Sequence, residues 1–438
     1  MTASTALLTD RYELTMLDAA LRAGTADRDS VFEVFARSLP GGRRFGVVAG
    51  TGRLLEAISE FRFGDEELAW LAEEKVVSEQ ALAWLADYRF SGSIAGYQEG
   101  ELYFPGSPLL VVEGTFGEGV ILETLILSVL NYDSAIATAA ARMRSAAGAR
   151  PLVEMGSRRT GERSAVAAAR AAYIAGFDAT SNLEAGRSWG VPTMGTAAHA
   201  FTLLFDSEEQ AFRAQVDALG TGTTLLVDTF DVRTAVARAV EVAGTGLGGV
   251  RIDSGDLPSQ IADVRAQLDE LGASRTRITV TNDLDEHSIA GLAASPVDSY
   301  GVGTSLVTGS GHPASGMVYK LVEHRDGAGE WVSVAKRSTA KPSVGGRKSA
   351  YRLLGEYGTA AAEVIRVRTE GVEHRRDPEG TERRLHVPLV VDGEVDARHV
   401  GAAGVQRARE HHARVVRELP PDAFRLSAGD PVLPTLFE

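Results

Sequence analysis

Short apolar or β-branched segments, each ending in polar or glycine residues, recur roughly every 20 to 30 residues through the middle of the chain. Stretches with helical periodicity separate them, and several of these stretches end at glycine, as helices commonly do. This alternation is typical of a parallel barrel or a doubly wound sheet, so it restricts the central region to that class of fold. The segments that carry the alternation are GVPTMGTAAHAF, TTLLVDTFDV, GGVRIDSGDL, RITVTNDLDE and SYGVGTSLVTG.

The sequence on either side of this region follows other patterns. A helix is predicted roughly from Asp10 to Ala23, and a long stretch after Gly119 is apolar nearly all round, as expected of a buried helix. Past Gly316 the pattern predicts an antiparallel hairpin across HRDGAG. A chain of 438 residues also exceeds the roughly 250 to 300 residues that one core supports. We therefore expect two domains, with a change of domain inside the long apolar stretch.

The composition and the net charge of the chain exclude several classes of function. The chain contains no cysteine, which excludes disulfides, thiolate catalysis and cysteine-ligated zinc. Its net charge of −14 argues against a nucleic-acid partner, because such a partner requires a basic face. No apolar run approaches the roughly 20 residues needed to span a bilayer, and the start of the chain has no signal-peptide pattern. We therefore expect a cytoplasmic protein without a membrane partner.

Two charged segments are interpreted as surface features. The basic stretch KRSTAKPSVGGRKSAYR is predicted to be a surface loop, and it lacks the residue order of a nucleotide-binding phosphate loop. His411 and His412 lie on a charged C-terminal helix, where we expect both to be solvated.

Polar and glycine residues at the ends of the predicted strands form one candidate site. Because the carboxyl ends of parallel strands share one edge, these residues are expected on a common rim, with His199 just past a short strand. The rim combines arginines for anions, carboxylates suited to a diol or to Mg²⁺ carrying phosphates, and one imidazole that can be ligand, base or nucleophile. No second histidine lies at metal spacing from His199, which argues against zinc. The rim residues are Arg158, Ser181, His199, Asp228, Asp253, Asp256, Asn282 and Gly303.

The order of several longer motifs resembles the nicotinate phosphoribosyltransferase family. The resemblance runs from about residue 6 to about residue 350, and the ordered combination is far more specific than any single motif. The motifs are TDRYELTM, FPGSPLLVVEGT, EMGSRRT, TSNLEAG, GTAAHAF, VDTFD, RIDSGDL and YGVGTSLVTG.

The resemblance implies a type II phosphoribosyltransferase fold, which is an irregular α/β barrel with a second α/β domain formed from the N- and C-terminal segments. On this basis we expect an N-terminal α/β domain over residues 1–130, the catalytic barrel over 131–315, and a segment over 316–438 that returns to the first domain. The implied reaction forms nicotinate mononucleotide and diphosphate from nicotinate and phosphoribosyl pyrophosphate, in NAD biosynthesis or salvage. It is coupled to ATP hydrolysis through a phosphohistidine. Mg²⁺ is the implied cofactor, ATP the co-substrate, and a homodimer with shared active sites the implied assembly.

The resemblance also implies roles for individual residues. His199 resembles the histidine that ATP phosphorylates, and Asp253 and Asp228 are the other implied catalytic residues. Mg²⁺ is expected to bind through substrate phosphates, with Asp253 or Asp256 as the protein ligand. One of the two arginines Arg158 and Arg159 is expected to meet nicotinate, and Asp10 and Tyr12 to reach into the partner subunit's site. The full set of implied substrate-binding residues is Asp10, Tyr12, Arg158, Arg159, Ser181, Arg251, Asp256, Asn282, Asp283, Gly301, Gly303 and Thr304.

Three other functions compete with this interpretation. The nicotinamide enzyme resembles this sequence but has an acidic residue where Ser181 stands; an acidic residue would repel a carboxylate, so serine favours nicotinate. The quinolinate enzyme needs a more basic pocket and uses no ATP. A catalytically silent barrel that only binds a phosphorylated ligand would not need a nucleophile, so His199 beside Asp253 and Asp256 argues against it.

Overall fold

The structure, a computed structural model, describes residues 5–336, 344–368 and 381–438. Its contacts divide the chain into two compact units. The terminal unit consists of Met1–Thr138 with His312–Glu438, and the central unit of Ala139–Gly311. The α-helices of the described residues are α1 (Arg11–Arg22), α2 (Thr51–Glu60), α3 (Asp65–Glu73), α4 (Glu79–Ala86), α5 (Phe116–Val120), α6 (Glu123–Ala147), α7 (Glu162–Ile174), α8 (Leu183–Trp189), α9 (His199–Leu204), α10 (Glu208–Leu219), α11 (Val232–Ala243), α12 (Leu257–Glu270), α13 (Glu286–Gly291), α14 (Thr304–Val307) and α15 (Gly401–Val415).

The strands belong to four sheets. They are β1 (Asp29–Ala36), β2 (Gly46–Val47), β3 (Ser93–Tyr97), β4 (Leu102–Tyr103), β5 (Leu110–Thr115), β6 (Leu152–Glu154), β7 (Ala179–Thr180), β8 (Thr224–Leu226), β9 (Gly249–Ile252), β10 (Arg277–Val280), β11 (Ser299–Val302), β12 (Met317–Arg325), β13 (Trp331–Ser333), β14 (Lys348–Leu354), β15 (Ala360–Val367), β16 (Glu382–Arg384), β17 (His386–Val391), β18 (Glu394–Val395) and β19 (Thr435–Phe437).

The central unit is built on a six-stranded sheet with the order β7-β6-β11-β10-β9-β8. Every neighbouring pair is parallel, and the sheet curls into a half-barrel. Apolar residues such as Leu225, Val250, Ile278 and Val302 are fully buried along the strands, as expected where helices cover both faces of a parallel sheet. The predicted fold class is confirmed, and the carboxyl ends of the six strands lie along one edge.

One predicted strand is absent. No strand is assigned to residues 191–198, which touch the sheet through a single bridge between Thr180 and Thr193. His199 is instead the first residue of α9. The segment is rich in small residues and carries Pro192 and Gly195, which give it little side-chain surface to bury in a sheet.

The terminal unit contains a seven-stranded sheet with the order β13-β12-β1-β5-β3-β17-β18. Its pairs are antiparallel, including the hairpin predicted past Gly316. The strand β1, from near the N-terminus, lies between β5 and β12. A large core that includes Leu17, Phe32 and Leu54 contains residues of this sheet together with residues of the helices. A four-stranded sheet, β16-β14-β15-β19, belongs to the same unit.

The basic segment predicted as a surface loop lies partly outside the described residues, and its described C-terminal part is a strand. Residues 348–354 form β14, in which Lys348 and Arg352 are buried. Each has a carboxylate partner at 2.8 Å, Glu33 for Lys348 and Glu363 for Arg352. Burial of a charge requires such a partner. Glu33 lies 315 residues from Lys348, and Glu363 faces Arg352 only through the pairing of β14 with β15, so the local charge pattern reveals neither partner.

The two C-terminal histidines are not solvated, so that prediction was wrong. His411 and His412 are each 5% exposed. The Nε2 atom of His411 lies 2.9 Å from Glu101, and Nδ1 of His412 lies 2.9 Å from the carbonyl oxygen of Gly100. Burial holds the pKa of His412 down to about 4. The charged face of α15 therefore covers polar groups of the terminal unit that the local sequence does not show.

The long apolar stretch is helical, as predicted. Residues 116–147, which contain α5 and α6 in close succession, form the one helical segment of the described chain that is long and apolar enough to cross a membrane by length and composition, contrary to the expectation that no such run exists. Of its most apolar window, 61% is buried inside the protein. A buried core helix meets the same criterion of length and composition.

Candidate active site

The strand ends of the central unit place most of the predicted residues along one edge. Ser181 follows β7 directly, Asp253 follows β9, and Gly303 follows β11. Asp228 and Asn282 come shortly after β8 and β10. The prediction of a common rim rested on this property of parallel strands.

Arg251 organises the middle of this edge. It is the third residue of β9, and its side chain is 12% exposed. Its guanidinium donates to the hydroxyl of Thr281 at 3.1 Å, to Thr196 Oγ1 at 2.7 Å and to the carbonyl oxygen of Ala197 at 3.1 Å. It also pairs with Asp253 at 3.2 Å. One rigid planar cation thus fixes the loop before α9 relative to the ends of β9 and β10.

His199 lies beside this network with its side chain 41% exposed. Its Nδ1 is 3.1 Å from the hydroxyl of Thr229, which follows β8. Its Nε2 faces the carboxylate of Asp253 at 3.8 Å. Both ring nitrogens therefore have a polar neighbour, while the ring stays open to solvent.

Asp228 supplies the carboxylate that best fits a metal ion. Its Oδ2 accepts from the backbone N–H of Asp253 at 2.9 Å and from the Ser254 hydroxyl at 2.6 Å. Its Oδ1 is buried without a hydrogen-bond partner among the described residues. Within the described ranges no three His, Asp or Glu side chains cluster as a metal cage. A single free carboxylate oxygen fits Mg²⁺ bound mainly through substrate phosphates, the usual arrangement for that ion.

Asp253 and Asp256, the two metal ligands expected from the sequence, differ in whether a carboxylate oxygen is free to bind an ion. Asp253 receives a hydrogen bond from Thr281 and pairs with Arg251, so both of its oxygens are engaged. Asp256 is the exposed N-cap of α12, and one of its oxygens accepts from Ser259 at 2.7 Å. Asp256 therefore keeps an oxygen free for a ligand, whereas Asp253 is held in place by the protein.

The loops after β6 and β7 form one end of the edge. Arg158 and Arg159 are exposed, and neither side chain has an ion-pair partner within the described ranges. The amide of Asn182 donates to the Ser157 hydroxyl at 3.0 Å, which joins the two loops. Ser181 immediately precedes Asn182 in the second of these loops, and it is exposed like the two arginines.

The loops after β10 and β11 differ in what they expose. Asn282 and Asp283 have φ angles of 116° and 40°, which non-glycine residues rarely adopt and which are commonly found at functional sites. Both are exposed, and so is Thr304. Gly301 is buried inside β11, where a Cβ atom would lie 2.7 Å from Met155 Sδ. Packing explains glycine at that position without any ligand.

Asp10 and Tyr12 lie at the start of α1 in the terminal unit. Asp10 is the N-cap of α1 but makes no side-chain capping bond. Tyr12 is 45% exposed, and partial burial together with Glu123, Glu13 and Asp10 raises the pKa of its phenol to about 12. The Tyr12 phenol is hydrogen-bonded to Glu123, but both Asp10 and Tyr12 are exposed to solvent.

Sequence reasoning missed the hydroxyl groups that hold the predicted residues in place. Thr229 contacts His199, Thr281 contacts both Arg251 and Asp253, and Thr196 contacts Arg251. The signal that could have found them is spacing. Thr229 lies 30 residues after His199 and Thr281 lies 30 after Arg251, which is about one strand–helix repeat along the sheet.

The sequence is similar to that of several known proteins. The family model of the nicotinate phosphoribosyltransferase (NAPRTase) N-terminal domain matches residues 7–131. The chain is 57% identical over 439 residues to nicotinate phosphoribosyltransferase pncB1 of Mycobacterium tuberculosis (strain ATCC 25618 / H37Rv), covering 98% of this chain and 94% of the relative. It is 36% identical over 364 residues to a nicotinate phosphoribosyltransferase of Bacillus subtilis (strain 168), covering 81% of this chain and 74% of the relative.

Solved structures share the fold. The crystal structure of human nicotinic acid phosphoribosyltransferase matches with a TM-score of 0.80 at 28% identity, over 98% of this chain and 97% of the human chain. The structure of nicotinate-nucleotide pyrophosphorylase from Pyrococcus furiosus matches with a TM-score of 0.77 at 24% identity, over 97% and 96% of the two chains. The curled parallel half-barrel and these neighbours place the chain in the type II phosphoribosyltransferase fold class. Within that class, the chain belongs to the nicotinate phosphoribosyltransferase family.

Proposed function

We propose that this chain transfers the phosphoribosyl group of phosphoribosyl pyrophosphate to nicotinate, forms nicotinate mononucleotide and diphosphate, and couples the transfer to ATP hydrolysis through His199. The observation that carries the proposal is the Arg251 network. Arg251 binds both Asp253 and the loop before His199. A guanidinium, a carboxylate and an accessible imidazole therefore lie together at one edge of the sheet.

In the transfer step, the bond between C1 of the ribose and the diphosphate oxygen breaks as the nicotinate nitrogen bonds to C1. The sugar carries positive charge while this happens, and a fixed carboxylate stabilises such charge best when it needs no reorganisation. Asp253 meets that requirement because Arg251 and Thr281 hold it. Diphosphate leaves with the electrons of the broken bond, and Mg²⁺, when bound, neutralises its charge. Asp228 Oδ1 and the free oxygen of Asp256 are the protein ligands that we propose for the ion.

In the coupling step, an unprotonated imidazole nitrogen of His199 attacks the γ-phosphorus of ATP. The bond to the β-phosphate oxygen breaks, ADP leaves, and a later water attack on the phosphohistidine releases phosphate. Thr229 orients the ring through Nδ1, which supports this role because a nucleophile must be held in line with the leaving group.

Recognition of the base rests on the loops after β6 and β7. Arg158 or Arg159 would pair with the nicotinate carboxylate, since an unpaired arginine binds a carboxylate bidentately. Ser181 adds no negative charge there, which favours nicotinate over nicotinamide. We therefore expect Ser181→Asp to shift the ratio of specificity constants toward nicotinamide, and an unchanged ratio would remove Ser181 from base recognition.

A homodimer with shared sites is part of the proposal. Leu183, Met194, Leu203 and Leu204 are exposed on the segments around His199, and Leu8, Tyr12 and Met16 are exposed at the start of the terminal unit. Exposed apolar groups of this kind are typical of a subunit contact. The cytoplasmic location expected from the sequence stays a prediction.

The first test measures nicotinate mononucleotide and ADP made by the purified protein from nicotinate, phosphoribosyl pyrophosphate and Mg²⁺, with and without ATP. We expect product with near-stoichiometric ADP. His199→Ala should abolish the stimulation by ATP yet keep slow transfer, because Arg251 and Asp253 remain. Product without ADP would refute the coupling alone, and no product would refute the transfer.

Mixing two variants that each lack ATP-stimulated activity tests the shared site. If Tyr12 completes the site of the second subunit, then Tyr12→Ala mixed with His199→Ala should recover about a quarter of the ATP-stimulated activity, because half of the reassorted dimers each hold one intact site. No recovery after verified subunit exchange would place Tyr12 and His199 in the same subunit's site.

A further inference from the structure

Glu154 is a buried carboxylate that the proposed reaction does not use. It is the last residue of β6 and is 0% exposed. Burial raises the pKa of its carboxyl, and two hydrogen bonds oppose that effect. A buried acid is costly unless its oxygens are satisfied, so the partners of the two oxygens indicate what the residue holds.

Each oxygen of Glu154 holds a different loop. One accepts from the backbone N–H of Gly156, at the start of the loop that carries Arg158 and Arg159. The other accepts from the hydroxyl of Thr180, the last residue of β7 before Ser181. The carbonyl oxygen of Glu154 also accepts from the N–H of Ser181 at 2.8 Å. A single residue therefore joins the strand ends that precede both base-binding loops.

Further hydrogen bonds extend from Glu154 and Thr180 into the loops after β6 and β7. The Thr180 hydroxyl, besides donating to Glu154, accepts from the N–H of Asn182 at 2.9 Å. The Asn182 amide then reaches Ser157 at 3.0 Å. The path Glu154–Thr180–Asn182–Ser157 is a chain of hydrogen bonds from the buried strand ends to part-buried residues of the two loops.

Packing leaves the first loop little freedom to adjust. A Cβ atom on Gly156 would lie 2.3 Å from Val307 Cγ1 and 3.0 Å from the carbonyl oxygen of Gly303. The backbone at Gly156 is thus pressed against the segment after β11, and the Glu154 carboxylate accepts a hydrogen bond from its N–H.

From these contacts we infer that Glu154 and Thr180 are positioning residues for recognition of the pyridine carboxylate. They set the spacing between the arginine-bearing loop after β6 and Ser181 after β7 without touching the substrate. The inference rests on the proposed function, because it assigns the base to these two loops.

Thr180→Val tests the inference with nearly unchanged volume. It removes the hydroxyl that joins Glu154 to Asn182, and loss of one hydrogen bond to a charged group should raise the KM for nicotinate about tenfold or more. The KM for phosphoribosyl pyrophosphate should stay within about twofold, because Arg251 and Asp253 are untouched. Thr180→Ser keeps the hydroxyl and should restore the wild-type KM.

Thr276→Val is the matched control. Thr276 is about as buried as Thr180, and its hydroxyl donates to the carbonyl oxygen of Leu247 at 2.9 Å. It lies just before β10, at the amino ends of the strands of the same sheet. It should lower the melting temperature as much as Thr180→Val does and leave both KM values unchanged. If Thr180→Val fails to fold, Ser157→Ala is the second variant. It removes the hydroxyl at the far end of the same path, at a less buried position, and should raise only the KM for nicotinate.

The outcomes separate this inference from the proposed function. If wild-type protein uses nicotinate but Thr180→Val and Ser157→Ala leave its KM unchanged, or raise both KM values alike, the positioning role is refuted and the transferase stands. If wild-type protein makes no product from nicotinate, both are refuted.

Discussion

Lys348 and Glu33 form a buried ion pair whose removal should destabilise the terminal unit strongly. Their charged atoms are 2.8 Å apart, and the two side chains are 1% and 3% exposed. Lys348 also donates to the carbonyl oxygen of Gly346 at 3.1 Å. Lys348→Met fills similar volume but leaves Glu33 buried without a cation, which should lower the free energy of unfolding by about 3–5 kcal/mol at neutral pH.

The pH dependence of that loss gives a sharper test. Burial already raises the pKa of Glu33, and the charge and hydrogen bond of Lys348 oppose this shift. Without Lys348 the pKa rises further, so the folded protein holds a proton on Glu33 at pH values where the unfolded chain has lost it. The destabilisation should therefore be largest above the raised pKa and shrink as the pH falls toward the ordinary carboxyl range.

Urea unfolding at pH 7.5 and pH 5, followed by circular dichroism, measures both effects. The double variant Glu33→Leu/Lys348→Met should recover to within about 1 kcal/mol of wild type, because the unpaired charge is gone. Lys320→Met is the control: Lys320 lies on β12, in the sheet that holds Glu33, but it is 36% exposed and 3.8 Å from Glu123, so its loss should cost less than about 1 kcal/mol. A small, pH-independent loss for Lys348→Met, or no recovery in the double variant, would refute the reasoning.

Three further predictions follow from single positions and can be checked by unfolding measurements. Gly301→Ala should destabilise the central unit by about 1–3 kcal/mol, because its Cβ would lie 2.7 Å from Met155 Sδ; an unchanged melting temperature would contradict this packing. Asn282→Gly should raise the urea midpoint while lowering activity, because the φ of 116° strains any side chain and relief is worth up to about 1 kcal/mol; a lower midpoint would mean that the Asn282 side chain stabilises the loop. Burial lowers the pKa values of His386 and His412 to about 4. As the pH drops from about 6.5 toward 4, these histidines take up protons in the unfolded chain but not in the folded protein, so the free energy of unfolding should fall; replacing both histidines by glutamine should flatten that decline.

The sequence predicted the features that depend on the order of the strands and on the local periodicity of apolar residues. The strand ends that carry Ser181, Asp228 and Asp253 were found because polar residues follow apolar runs, and parallel strands bring such ends together. The helix near Asp10 and the hairpin past Gly316 have local patterns and were also found. The same logic failed at His199, whose preceding segment resembles a strand in composition but contributes only one bridge to the sheet.

What the sequence could not show are partners that packing brings together. Glu154 looked like an ordinary polar residue at a strand end, and nothing local indicates that its carboxyl is buried between two loops. Arg352 stands in a stretch that resembles a basic loop, yet it is buried against Glu363. His411 needs Glu101, which lies 310 residues earlier. Charge patterns along the chain predict exposure only where no distant partner exists.

The position of β1 between β5 and β12 determines the order in which a ribosome can complete the two units. The central unit is one continuous stretch and has all its strands as soon as residue 311 has left the exit tunnel. The seven-stranded sheet must wait for β12, β13, β17 and β18, although β1, β3 and β5 are made first. During that interval the nascent chain carries unpaired strand edges of β1 and β3, which are prone to pair with other chains. The part of the protein translated first is thus the part finished last, and truncation after the central unit should yield a folded half-barrel with an aggregation-prone N-terminal segment.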